Sequence, residues 1–352
     1  MINKIKINKS IFISDNSKCF IIAEAGVNHD GDFNKAKQLI DIAARAKANA
    51  VKFQLFKSQK LTSKEAFLAT YHKKGLKNKK ETLAELLKRL ELSKKNYARL
   101  CKYAREKKIL IFATPFDVSN AKFLESLNTP LYKIASFSLT NFRLVEYIAK
   151  LNKPTLVSVG LHNLREIEHM VNIFKKYNNK KLILLQCTSH YPSSPCDSNL
   201  RFMKTLRYAF ETNVGYSDHT MGINVSLAAV ALGAKVLEKH FTLKTSDYGV
   251  DHDASISPEE LVKLVDGIRE VESSLGSTAK IIPEIEQEII KVHRPSLVSK
   301  TIIKKGKIIK KSMIDIKKPG TGINPLDINW VIGRRTKVSI PANIIIRREH
   351  LI

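Results

Sequence analysis

The sequence has no run of apolar residues approaching the ~20 that a membrane-spanning helix needs. Its first stretch, MINKIKINKSIFISDNSKCFIIAEAG, lacks the charged, apolar and small-residue segments of a secretory signal. A cytoplasmic protein with no membrane partner is therefore expected. Cysteine is sparse: Cys19, Cys101, Cys187 and Cys196 are scattered without a CxxC pair, which disfavours a zinc cluster and a disulfide framework. A glycine-rich dinucleotide fingerprint is missing after the first strand-like segment. Acidic residues are outnumbered, 33 Asp and Glu against 60 Lys and Arg, for a formal charge of +27. The excess lysines are spread among Ile and Asn along the whole chain, with no aromatic-interleaved basic stripe. That pattern reads as a solvated basic surface that draws in small anions, not as a nucleic-acid site.

With 352 residues, 43% of them hydrophobic, the chain can build one large core and a small second one. Between residues 19 and 276, short apolar runs alternate with helical patterns. The runs are CFIIAEAG, AVKFQLF, ILIFATPF, LYKIAS, PTLVSVG, KLILLQCTS, NVGYSD and VLEKHFTL; helix-like segments such as NKAKQLIDIAARAKA and NLREIEHMVNIFKKY lie between them. Eight strands, each followed by a helix, predict a (β/α)8 TIM barrel. A doubly wound open sheet is the competing fold, and the absent fingerprint disfavours it. The barrel domain is assigned to 1–280, closed by a helix from Pro258 to Leu275, with a polar linker over 281–292. Residues 293–352 show short β-branched runs punctuated by Gly and Pro, which predicts a small, mostly β domain.

The eighth run, VLEKHFTL, places Glu238 and His240 two positions apart, so in a strand both side chains share one face. Burying unpaired ionisable groups costs several kcal/mol, so a polar cavity is expected around them. Barrel active sites lie at the C-terminal ends of the strands, and polar residues fall there on every run: Glu24; Lys52 and Gln54; Thr114; Lys133 and Ser136; Ser158; Thr188 and Ser189; Ser217 and His219; Glu238 and His240. Two histidines on adjacent strands can meet at one divalent ion such as Mn²⁺, Fe²⁺, Co²⁺ or Zn²⁺, with open positions left for water or substrate. Glu238 either completes that shell or supports a neighbour. Lys52 and Lys133 with the serine hydroxyls suit a phosphate and a carboxylate. Alternatively, Lys52 pairs with Glu24, or Lys133 forms a Schiff base as in an aldolase. The PGTG stretch at 319–322 reads as a turn, since it does not lead from a strand into a helix.

Taken together, IIAEAGVNHDGD, AVKFQLFK, ATPFD, YKIAS, CTSHYPS, GYSDHT, VLEKHFTL and DHDAS, in this order and spacing, strongly resemble the sialic acid (nonulosonate) synthases. The tail around TIIKKGKIIKKSMIDIKKPGTGI resembles their C-terminal antifreeze-like, or SAF, domain, a β-clip fold. The resemblance implies a metal-dependent condensation of phosphoenolpyruvate with an open-chain N-acyl hexosamine such as N-acetylmannosamine, giving a nine-carbon 2-keto-3-deoxy acid and phosphate. It implies Mn²⁺ first, with Mg²⁺ or Co²⁺ as alternatives, at His219 and His240. Lys52, Lys133, Ser136, Ser158 and Ser217 would hold phosphoenolpyruvate, with Thr114 at the border. Glu24, Gln54, Tyr191 and Asp251 would position the sugar, and Glu24 or Glu238 would move a proton. It further implies a homodimer in which the antifreeze-like domain caps the partner's barrel and brings a basic side chain to the sugar. Three positions depart from the family pattern: Lys318 replaces an arginine, Ser138 a glutamate and Ser189 an asparagine. These departures fall on the sugar side and make a 2,4-diacetamido-6-deoxy hexose, as in legionaminic acid synthesis, a serious alternative substrate.

Overall fold

A computed structural model describes the whole chain except residues 1, 64, 70, 71, 74, 75, 77–79 and 248. The chain separates into two compact units, Met1–Gly276 and Ser277–Ile352. In the first, a short hairpin, β1 (Ile5–Lys6) and β2 (Phe12–Ile13), precedes eight parallel strands: β3 (Phe20–Gly26), β4 (Ala50–Leu55), β5 (Leu110–Pro115), β6 (Tyr132–Ile134), β7 (Thr155–Ser158), β8 (Leu182–Cys187), β9 (Asn213–Asp218) and β10 (Val236–His240). They form one sheet in the order β5-β4-β3-β10-β9-β8-β7-β6. The first strand pairs with the last, and the two edges are consecutive in the chain, so the sheet is a nearly closed barrel. The predicted TIM barrel is thus the observed architecture.

Local sequence explains the helices around it. Asp32 caps Phe33–Arg45 by accepting from the Asn34 and Lys35 amides, and Asn163 with Glu166 forms a capping box on Leu164–Lys176. Ser257 and Glu260 do the same for Pro258–Ser274, whose proline occupies the first turn, where no amide donor is needed. The long connection after β4 carries a helix that sequence reading did not anticipate, Leu83–Arg89, begun by a Thr82–Glu85 capping box.

A period of two divides each strand between two cores. Ile21, Ala23, Val51, Tyr132, Val157 and Leu184 face the surrounding helices. Phe20, Ile22, Ala50, Phe112, Leu131, Leu156, Ile183, Leu185 and Val236 fill the barrel interior, together with Ile5, Ile7 and Ile13 of the N-terminal segment. Where the interior is tightest, only glycine fits: a Cβ on Gly215 would stand 2.3 Å from the Val236 carbonyl oxygen. Continuing each inward series along its strand leads from apolar layers into the polar residues described below.

The outward face of β9 and β10 holds an unusual ion pair. Lys239 Nζ lies 3.0 Å from Asp218 Oδ2, and both side chains are fully buried. Asp218 also accepts from the Thr220 amide and hydroxyl, each at 2.8 Å, and from Ser226, while Lys239 donates to the Thr220 carbonyl. The pair ties together the two strands just before His219 and His240.

In the second unit, β11 (Ser296–Ser299) pairs antiparallel with β12 (Ile314–Lys317), over a core of Leu297, Ile303, Ile309, Ile323, Val331, Ile340 and Ile346. The segment expected to be a linker carries a helix, Ile285–His293. The PGTG turn packs on its end: the Gly320 amide donates to the Lys291 carbonyl at 2.8 Å, and a Cβ on Gly320 would meet the Ile290 carbonyl at 2.6 Å. That stretch is therefore part of the second unit's structure and not a plain connector.

Replacing Lys239 with Met leaves Asp218 charged, buried and without its cation. Urea unfolding should show a loss of roughly 3–5 kcal/mol, and a smaller loss when Asp218→Leu is added, because no lone charge then remains.

Candidate active site

The inward polar residues converge on one cavity at the C-terminal mouth of the barrel. It is lined by Glu24, Lys52, Gln54, Thr114, Lys133, Ser136, Ser158, Ser189, Tyr191, Ser217, His219, Glu238 and His240. Asp251 lies beside it, 3.6 Å from His240 Nδ1. Lys318 belongs to the second unit, is exposed, and sits 3.0 Å from His293 Nδ1. Thr188 turns its side chain away to the Asp197 carbonyl, so its contribution to the site is its backbone oxygen.

At the centre are two lysines and two glutamates, all buried. Lys52 Nζ is 2.8 Å from Glu24 and 3.5 Å from Glu238; Lys133 Nζ is 3.3 Å from Glu238. Ser217 donates to Glu238 at 2.9 Å and Lys52 to Thr114 at 3.1 Å. Pairing of Lys52 with Glu24, one of the alternatives open from sequence, is thus realised inside the cavity. The two carboxyls differ in charge preference. Burial works against ionisation of both, yet Lys133, Lys52 and Ser217 hold Glu238 down at about 2. Glu24 is raised to about 7, because burial and the Glu238 charge outweigh its contact with Lys52. Burial also lowers Lys133, helped by Lys52, whereas the two carboxylates overcome burial and raise Lys52.

The His219 and His240 rings lie with centroids 5.5 Å apart, and the Tyr191 ring packs 4.1 Å from His219 and 5.7 Å from His240. His219 Nδ1 is 2.7 Å from the Thr188 carbonyl, which fixes a proton on Nδ1 and leaves Nε2 bare for a ligand bond. His240 is kept neutral by burial and by the neighbouring His219 and Lys52, and its Nδ1 has no hydrogen-bond partner among the described residues. Burial works against a charge on His219, but Cys187 and the Thr188 carbonyl outweigh it and raise the ring, so the two buried imidazoles would share a divalent ion only once His219 gives up its proton. Among the described residues no group of three or more His, Cys, Asp or Glu is arranged as a metal site, and the ionic contacts of Glu238 are with Lys52 and Lys133. The remaining positions would be open to water or substrate.

Beside His219, whose Nδ1 is 3.8 Å from the Cys187 sulfur, lies a group of small donors. Ser136 and Ser189 approach the Cys187 sulfur at 3.6 and 3.8 Å, and the Ser158 hydroxyl is buried without a hydrogen-bond partner among the described residues. The backbone comes in close here: a Cβ on Gly160 would stand 2.6 Å from Ser189 Oγ and 3.0 Å from Ser136 Oγ. Cys187 was missed by sequence reading, which weighed the cysteines only for a zinc cluster or a disulfide framework. Burial would raise its thiol, but His219, Ser136 and Lys133 outweigh that and bring it to about 7. The alternation Ile183, Leu185, Cys187 was the available signal that it points inward. Asp251 is held by the two loops that the sequence marked as motifs. Asn28 Nδ2 donates to Ser255 Oγ at 2.8 Å, and His252 Nδ1 lies 2.6 Å from Thr242 Oγ1 while its Nε2 faces Asp30 at 3.4 Å.

A near-closed parallel barrel with its polar groups gathered at one mouth has the architecture of a (β/α)8 enzyme. The chain belongs to the NeuB family, which it matches over residues 39–280, with a SAF domain over 294–352. It is 43% identical to an N,N'-diacetyllegionaminic acid synthase of Campylobacter jejuni, over 90% of this chain and 95% of that protein. It is 37% identical to the human N-acetylneuraminate-9-phosphate synthase, over 94% and 92%. Among solved structures, the sialic acid synthetase of Leptospira borgpetersenii in complex with citrate superposes with a TM-score of 0.74 at 39% identity, covering 82% of this chain and 96% of that one.

Gly160→Ala should press on Ser136 and Ser189, lowering stability by about 1–3 kcal/mol and weakening inorganic phosphate binding. Urea unfolding and calorimetric titration measure the two effects.

Proposed function

We propose that the protein is a nonulosonate synthase, joining phosphoenolpyruvate to the aldehyde carbon of an open-chain N-acyl hexosamine and releasing phosphate. The observation that carries this reading is the meeting, in one buried cavity, of the Lys52 and Lys133 ammonium groups, a ring of serine hydroxyls and the His219–His240 pair. Lys133 and Lys52, with Ser136, Ser158 and Ser217, bind the phosphate and carboxylate of phosphoenolpyruvate. Fixed cations and hydroxyls in a water-poor site hold such charges without reorganisation. Gln54, Tyr191, Ser189 and Asp251 orient the sugar so that its aldehyde faces C3 of phosphoenolpyruvate.

The bond order then follows. The C3=C2 electrons attack the aldehyde carbon, the aldehyde oxygen takes a proton to become a hydroxyl, water adds to C2 and gives up one proton, and the C2–O bond to phosphate breaks as the remaining proton of that water passes to the departing phosphate, leaving the 2-keto group. Glu24 suits the proton step, because a carboxyl held near 7 can either carry or release a proton at neutral pH. Glu238, held at about 2, stays ionised and keeps the lysines in place. His219 and His240 would hold a divalent ion, Mn²⁺ by preference and Mg²⁺ or Co²⁺ otherwise, and the ion would supply Lewis-acid polarisation of the aldehyde oxygen. A Schiff-base aldolase is disfavoured because Lys133 is committed to Glu238 in a cavity with two histidines suited to a metal. A homodimer capped by the SAF domain, with Lys318 reaching the partner's sugar, and a cytoplasmic location complete the proposal; no helix among the described residues is long and apolar enough to cross a membrane.

Phosphate release from phosphoenolpyruvate should require both a divalent ion and an N-acyl hexosamine, and should stop on chelation. Resistance to chelators, with borohydride trapping of pyruvate on Lys133, would favour the aldolase instead. His240→Ala should abolish both turnover and Mn²⁺ uptake measured by electron paramagnetic resonance, with the circular dichroism spectrum unchanged.

A further inference from the structure

The turn that carries Ser136 stands where the sheet is not closed by hydrogen bonds. Its strand, β6, is an edge: it pairs with β7 from Tyr132–Thr155 to Ile134–Val157, and among the described residues no ladder joins it to β5. Pairing stops at Ile134, so the following turn, Ser136–Ser138, lies beyond the sheet although Ser136 lines the anion cavity. Inside the turn, the Ser138 amide donates to the Ala135 carbonyl at 2.9 Å and the Leu139 amide to the Ser136 carbonyl at 3.1 Å. These local bonds shape the turn without fixing it against the rest of the barrel.

Two side-chain contacts supply that hold. On the β5 side Phe137 stacks on Phe116, with ring centroids 5.4 Å apart and planes 8° from parallel. On the β7 side His162 Nε2 lies 2.9 Å from the Ser136 carbonyl oxygen. A carbonyl can only accept, so Nε2 carries a proton and donates it. The imidazole side chain is 9% exposed, and its Nδ1 faces Glu166 Oε2 at 3.6 Å. Glu166 is fixed in turn by its capping box with Asn163, and the Val159 amide ties the same loop to the Leu185 carbonyl of β8 at 3.0 Å. The donor therefore stands on a firm loop and the acceptor on a loose one.

The backbone is strained to bring them together. Leu161, with φ +68°, is in the left-handed region, which costs a residue with a Cβ. Its side chain gains little in return: it is 67% exposed at a chamber of about 630 Å³ beside the anion cavity, which Phe137, Leu83 and Leu87 also line. The residues on either side of it both meet Ser136. A Cβ on Gly160 would stand 3.0 Å from its hydroxyl, and His162 holds its carbonyl.

Resting on the synthase reading, we propose that His162 is a positioning residue for phosphoenolpyruvate: its bond to the Ser136 carbonyl holds the Ser136 hydroxyl at the anion, beside the open seam of the barrel. His162 does not line the cavity and acts only through that serine.

The test is calorimetric titration of phosphoenolpyruvate into the full-length, Mn²⁺-loaded protein. The amide nitrogen of His162→Gln can stand where Nε2 stands, whereas that of His162→Asn reaches only the Nδ1 position. His162→Asn should raise the Kd about 10-fold, because a displaced hydroxyl no longer meets its ligand. His162→Gln should stay within about threefold of the parent protein. In a Ser136→Ala background His162→Asn should add no more than about twofold, since the hydroxyl it positions is gone. Where circular dichroism shows His162→Asn unfolded, His162→Ala takes its place in both arms. Unchanged binding in His162→Asn, an equal loss in His162→Gln, or the same loss in the Ser136→Ala background overturns the assignment and leaves the synthase reading standing. A parent protein that neither binds phosphoenolpyruvate nor releases phosphate from it removes that reading, and this inference with it.

Discussion

Side-chain alternation in a closed parallel sheet is the constraint on which the rest of this structure depends. Every second residue of a barrel strand has to point inward, so each strand offers a short column of positions to one shared interior. In this chain the lower positions of those columns are Ile, Leu, Phe and Val, and the upper ones are Glu, Lys, Thr, Ser and His. The apolar layers make the barrel rigid, and that rigidity lets the upper layer hold charges that flexible loops would release to water.

Those charges are tolerated because they are paired. Two lysines face two carboxyl groups within a few ångströms, so each buried ammonium has an acidic partner. The pairing is uneven in a useful way. Glu238 lies between both lysines and takes the stable negative charge, which leaves Glu24 as the carboxyl that burial can push toward neutrality. The buried Asp218–Lys239 pair on the outer face holds the same two strands in register without entering the cavity. Charged pairs on both sides of β10 thus surround the strand whose sequence, KVLEKHFTL, alternates between them.

Much of this was legible in one dimension. The eight barrel strands fall inside the eight apolar runs, because a β-strand buried on both faces has a composition that loops and helices cannot share. The inward polar residues were legible for the same reason: two ionisable groups at a spacing of two, such as Glu238 and His240, have to share a face. Cys187 was not singled out, since its importance comes from Ser136, Ser189 and His219, which lie far away in sequence. The helix Leu83–Arg89 and the turn around Phe137 gave no sign that they would meet over the mouth.

The sequence by itself determined the strand count, the faces of the strands and the identity of the family, because these depend on local periodicity and on the order of short motifs. Tertiary structure decided which glutamate carries the charge, which atom of Thr188 reaches His219, and how the chamber walls are composed. Those outcomes depend on distances between residues from different strands and loops. Such distances are set only when the barrel closes and removes the water that would otherwise screen each group from its neighbours.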